Sequence, residues 1–61
     1  MAEIDRTKLI ALRSRLLEAE TELLVRAADN PTLPSSNELR KIADMESAIG
    51  AVEALLQSTE E

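Results

Sequence analysis

The chain contains no cysteine, no histidine and no Phe, Trp or Tyr. Without cysteine it can form neither a disulfide framework nor a thiolate metal site, so the sequence does not indicate a redox compartment. Without histidine or tyrosine, the groups left for acid–base and nucleophilic chemistry are carboxylates, lysines and hydroxyls. The single glycine cannot supply a glycine-rich phosphate loop. We therefore expect no enzyme activity, no cofactor and no metal site.

Long apolar runs are also missing. The longest, such as Leu9-Ile10-Ala11-Leu12, are far too short for a signal peptide or a membrane span. We accordingly expect a soluble cytoplasmic protein, or one that belongs to a phage- or plasmid-encoded assembly, and not a secreted one.

The length leaves little material for a core. At 61 residues the chain forms a single domain. Compact folding would bury roughly 6,000 Å² of surface, which contributes about 85–90 kcal/mol. Ordering the chain costs about 90 kcal/mol, so the two contributions cancel. We therefore expect a partner to complete the core, and a second copy of the chain is the simplest partner.

Residues 4–29 are nearly all good helix formers, and their apolar members recur at intervals of three and four. One apolar stripe consists of Leu9, Leu12, Leu16, Ala19 and Leu23. A second consists of Ile10, Leu17, Leu24 and Ala28. Between the stripes runs a line of Arg6, Arg13, Glu20 and Ala27. Because the apolar arc covers close to half the circumference, this helix is expected to contact two neighbours.

Residues 36–58 predict a second helix with a cleaner pattern. Its heptad positions are Ile42, Met45, Ile49, Val52 and Leu56. Further round the helix lies a row of small residues, Ala43, Ser47, Gly50 and Ala54. A glycine inside a helix costs about 1 kcal/mol relative to alanine, so Gly50 needs a reason. One interpretation is a close helix–helix approach between subunits; the other is a tolerated surface glycine.

The segment NPTLPSS predicts the bend between these helices, with the turn at 30–35. Pro31 disfavours the α conformation at Asn30 and ends the first helix. Ser35 and Glu38 have the spacing of a capping box that starts the second, and we expect Leu33 to pack onto the helix ends. The P-x-x-P spacing also occurs in SH3 ligands, but the flanking basic residue is missing. The segment is therefore interpreted as a turn.

Together these features predict an all-α fold, an antiparallel helical hairpin spanning 1–61, which dimerises into a four-helix bundle. The expected oligomer core is Leu9, Leu12, Leu16, Leu17, Leu23, Leu24, Ile42, Met45, Ile49, Val52 and Leu56.

The net charge of −5 is unevenly distributed. The basic residues Arg6, Lys8, Arg13 and Arg15 lie in the first helix, and an antiparallel hairpin brings them beside Glu53 and the acidic tail at 59–61. Neutralisation of these basic residues by the acidic ones would fix the register between the two helices. It would add little stability, because exposed ion pairs contribute only about 0–1 kcal/mol each. Arg13, Glu20 and Glu53 are candidates for polar contacts that fix register or partner choice. Alternatively, the aliphatic parts of Arg13 and Glu20 pack in the apolar arc while their charged ends reach solvent.

Three functional hypotheses are compatible with these features. The first is a non-enzymatic adaptor, assembly factor or inhibitor that acts as a homodimer through protein–protein contacts. The second is nucleic-acid binding, since in length and expected architecture the chain resembles the small RNA-binding hairpin dimers of the Rop type. That resemblance implies phosphate contacts by Arg6, Lys8, Arg13 and Arg15, although the negative charge and the lack of aromatics oppose it. The third is an obligate subunit of a larger hetero-complex.

Overall fold

A computed structural model describes residues 4–59 of the chain. Two α-helices, α1 at Arg6–Asp29 and α2 at Ser36–Ser58, pack against each other as an antiparallel hairpin. The hairpin is a rod of 45 × 17 × 16 Å. The prediction of an all-helical hairpin is confirmed for this part of the chain. Neither helix within it combines the length and the apolar character needed to cross a membrane. Glu60 and Glu61 of the expected acidic tail lie outside the described residues.

The first helix begins at Arg6, two residues later than expected. Asp5 is its N-cap: the backbone of Asp5 is extended, and its Oδ1 accepts a hydrogen bond of 3.2 Å from the Lys8 backbone N–H. This bond satisfies one of the N–H groups that have no partner in the first turn of a helix. The apolar pattern alone placed the start at Ile4, because an apolar residue there continues the period without showing where the cap is.

The turn is held by side-chain bonds on both sides. Oδ1 of Asn30 accepts from the backbone N–H of Thr32 at 3.1 Å and from its hydroxyl at 2.8 Å. The predicted capping box is confirmed. The Glu38 backbone N–H donates to Ser35 Oγ at 3.2 Å, and the Ser35 N–H donates to Glu38 Oε1 at 3.1 Å. This bond from the Ser35 backbone is the main reason that the pKa of Glu38 is lowered.

The expectation for Leu33 is wrong. Its side chain is 89% exposed, and Pro34, next to it, is half-buried instead. A six-residue turn between two helices has no third element above it, so an apolar residue at its tip has nothing to pack against.

The seam between the helices is thin. On α2 the buried hydrophobic side chains are Ile49, Val52 and Leu56, and on α1 the facing leucines at 9, 16 and 23 are only half-buried. None of the hydrophobic side chains between residues 4 and 59 is completely enclosed. A single hairpin of these two helices therefore lacks the closed core of an ordinary small domain.

Candidate interaction surface

At the end of the hairpin remote from the turn, Arg6 joins the two helices. Its Nη1 donates to the Leu56 carbonyl oxygen at 2.6 Å and to Thr59 Oγ1 at 2.7 Å. The carbonyl end of a helix carries a partial negative charge, and the last turn of α2 contains no basic residue. Arg6 supplies the missing cation from the other helix. Sequence reasoning missed this role, although the absence of a cation in the last turn of α2 was a signal for it.

Near the middle of the seam a carboxyl group is buried. Glu20 is 8% exposed, and its Oε2 has no hydrogen-bond partner within residues 4–59. The neighbouring charged group is the carboxylate of Glu46 on α2. A hydrogen bond between the two carboxyls, the burial of Glu20 and the repulsion between the two charges all raise the pKa of Glu20. The contact therefore favours the protonated form of Glu20 at the helix–helix contact.

This contact predicts that the contribution of Glu20 to the stability of the hairpin decreases as the pH rises above the pKa of an unfolded glutamate. A glutamate in the unfolded chain titrates near pH 4.3 or so, and the folded pKa of Glu20 is higher, so the folded protein binds more protons between these values. Stability from this group is fully present below the unfolded pKa and is lost as the pH rises through the folded pKa. Replacing Glu20 by Gln should raise the melting temperature near pH 7 and change it little near pH 4.

Thermal melts of the wild type and of Glu20→Gln across this pH range, followed by circular dichroism, test the effect. The matched control is Glu18→Gln, which removes a carboxylate at an exposed position of the same helix. An equal difference between Glu20→Gln and the wild type at every pH would contradict the assignment.

One side of the seam carries an exposed line of large apolar residues on α1, which we call the apolar stripe: Ile10, Leu17 and Leu24. Their exposed fractions are 41%, 41% and 48%. On the same side of the hairpin, Leu39 of α2 is 51% exposed. Residues spaced seven apart lie on one line of a helix that follows a neighbour, so the stripe is continuous over the length of α1. Leu17 and Leu24, expected in the oligomer core, are thus not covered by the hairpin itself.

Part of the row of small residues lies on the same side, on α2: Ala43 and Gly50 are on the side of the stripe, whereas Ser47 and Ala54 share the line of Arg40 on the back of the helix, away from the seam. The four members of the row are all exposed. A Cβ atom added at Gly50 would meet no described atom within 4 Å. The glycine is therefore not required by the contact between α1 and α2, and any close approach along this row involves another molecule.

Charge separates the two broad sides of the rod. The side that carries the apolar stripe and Gly50, here called the stripe face, contains only Glu46 and Glu53 as charged residues among those described. The opposite side, here called the charged face, carries Lys8, Arg15, Glu22, Arg26, Asp29, Lys41 and Asp44. Depletion of charge is the compositional mark of the core of a protein–protein interface.

The remaining candidate residues fall into separate places. Among the expected core residues, Leu9, Leu12, Leu16, Leu23, Ile42 and Met45 are half-buried, and Ile49, Val52 and Leu56 are buried. Of the polar candidates, Glu20 is buried, Arg13 is half-buried in the seam and Glu53 is exposed.

The four basic residues of the nucleic-acid hypothesis do not form one surface. Arg6 and Arg13 lie along the seam, whereas Lys8 and Arg15 are exposed on the charged face.

Within residues 4–59 no three side chains of the metal-binding types come together to hold a metal ion. No protein-family model matches the chain, and no curated protein or solved structure matches it significantly. Function is therefore inferred from the chain's own residues.

Proposed function

We propose that this chain is a non-enzymatic structural or interaction protein that works as a homodimer. Two hairpins form a four-helix bundle, and the assembled bundle acts by protein–protein contact as an adaptor, an assembly factor or an inhibitor. The observation that carries the proposal is the apolar stripe, which leaves three large side chains in a continuous line without cover.

The surface area supports a second copy. The chain exposes 4990 Å², whereas a compact monomer of its size exposes roughly 3,900 Å². Folding into a single hairpin therefore hides only about half of the surface of the unfolded chain, less than the roughly 60% typical of a domain of this length. The hairpin is thus short of buried surface by roughly 1,100 Å².

The stripe face is large enough to supply the missing buried surface. The broad side of a rod with these dimensions covers a rectangle of roughly 760 Å², close to the roughly 800 Å² per partner of a standard stable interface. In a dimer formed through the stripe faces, the charged faces of both copies stay in water. These outer surfaces are then the ones available to other proteins.

Sedimentation equilibrium of the purified chain at micromolar concentration, with circular dichroism on the same sample, tests the proposal. We expect a strongly helical species with twice the mass of the chain. A helical monomer over the whole concentration range would overturn the homodimer. A monomer with little helix would also overturn it, and would indicate that another protein supplies the missing half of the core.

A further inference from the structure

We infer that the two hairpins pack with the apolar stripe of each α1 against Ala43 and Gly50, the members of the small row that lie on the stripe face of the second copy's α2. The two-fold axis of this dimer runs parallel to the helices, and both turns lie at the same end of the bundle. The inference rests on the homodimer proposed above and adds which surfaces meet and in which orientation.

The levels of residues along the rod are fixed by contacts within the hairpin. Arg6 bonds to Leu56 and Thr59, and Glu20 contacts Glu46. Each step along α1 toward the turn is matched by one step back along α2, with a rise of about 1.5 Å per residue. By interpolation, Leu17 is level with residues 48–49, about one to two residues from Gly50, and Ile10 with the stretch 53–55. Continued toward the turn, the same register places Leu24 level with Ala43.

Two large side chains of the stripe, Leu17 and Leu24, are thus within about two residues of the level of a small residue on the stripe face, Gly50 and Ala43. A two-fold axis parallel to the helices keeps every residue at its level and exchanges left with right. It therefore lays α1 of one copy across α2 of the other, in antiparallel orientation. Leu17 then meets Gly50 of the second copy, and Leu24 meets Ala43. Large side chains set opposite small ones fill an interface without voids or overlap.

A two-fold axis perpendicular to the helices gives a poorer contact between the same faces. It would stack α1 on α1 and α2 on α2, so that large residues meet large ones and the small rows face each other across a gap. With the stripes centred on Leu17, it would also place Glu46 of one copy against Glu53 of the other, twice. Like charges brought together in this way are unfavourable. With the parallel axis, the two α2 helices lie diagonally opposite each other in the bundle, so the carboxylates of one copy stay away from those of the other.

The charge distribution also selects a second copy as the occupant. The stripe face offers one line of large residues and one line of small ones at matching levels, and the same face of another copy carries the complementary lines. The charged face offers no such match, because the apolar groove along it, at Leu9, Leu12 and Leu55, is flanked by the charged side chains of Asp5, Lys8 and Arg15.

Spin labels can distinguish the two axes, because the chain has no native cysteine. A nitroxide on Leu33→Cys, at the exposed tip of the turn, reports the distance between the two turns of a dimer. With adjacent helices about 8–10 Å apart, we expect a label-to-label distance below about 25 Å for the parallel axis. The perpendicular axis would separate the labels by about 40 Å, close to the length of the rod.

A second variant, Ala51→Cys, is the matched control, because Ala51 is exposed near the middle of α2 on the charged face. Its labels should lie about 30 Å apart in a dimer formed through the stripe faces with either axis. A distance near 30 Å for Ala51→Cys with one below 25 Å or so for Leu33→Cys would support the inference. A distance near 40 Å for Leu33→Cys would overturn the parallel axis while the dimer stands. No dipolar coupling in either variant would mean that the homodimer itself is wrong.

Discussion

The chain with Ile49 replaced by Asp is expected to be largely unfolded at neutral pH and room temperature. Ile49 is 6% exposed and is one of three buried hydrophobic residues among those described. An aspartate there loses the apolar contacts of the isoleucine and must either bury a charge or force the helices apart, at a combined cost of about 4 kcal/mol or more. A helical assembly of such small chains has only about 3–5 kcal/mol of stability from its core.

Far-ultraviolet circular dichroism and a thermal melt measure this loss. The control is Ala51→Asp, which introduces the same side chain two residues further on, at an exposed position of the same helix. That variant should lose only the helix propensity of alanine, about 0.7 kcal/mol, and should remain folded. A folded Ile49→Asp variant would mean that the core face of α2 has been assigned to the wrong side.

Gly50→Leu is expected to weaken the dimer while leaving the hairpin itself folded. Within the hairpin there is space for a side chain at this position, and leucine favours the helix over glycine by roughly 0.8 kcal/mol. Between copies, the same side chain would meet the apolar stripe at the point where Leu17 is placed. Overpacking costs about 1–3 kcal/mol at each of two symmetric contacts, so the dimer should weaken by about 30-fold or more.

Sedimentation equilibrium over a dilution series gives the dissociation constant of each variant. Ala51→Leu provides the control, because it adds the same leucine to the charged face and should leave the dimer intact. If Gly50→Leu has the mass and melting temperature of the wild type, the small row is not an interface, and the orientation inferred from it is wrong as well.

Local signals were sufficient for the outline of the fold. The recurrence of leucines at three and four residues indicated α1, and the heptad that contains Ile49 indicated α2. Pro31 and the Ser35–Glu38 pair marked the turn, because a proline and a capping box act within a few residues of chain. These features needed no knowledge of what lies across the hairpin.

The features that could not be predicted depend on distant parts of the chain. Arg6 was interpreted as one of a basic group, whereas its partner is the last turn of α2, which no pattern within α1 can indicate. The burial of Glu20 beside Glu46 depends on the register between the helices, which is set by the turn and the seam together. Leu33 was expected to be covered because it is apolar, although a hairpin has nothing above its turn.

The separation in sequence between Arg6 and Leu56 also predicts the order in which the hairpin closes. These residues are 50 positions apart in the chain, whereas the turn joins helix ends that are separated by only a few residues. Closing a loop of that length directly loses about 2 kcal/mol more chain entropy than closing the turn. We therefore expect the helices to associate first beside the turn and to make the contact at Arg6 last. In the reverse direction, opening is expected to start at Arg6, so amide protons there should exchange with solvent ahead of those beside the turn.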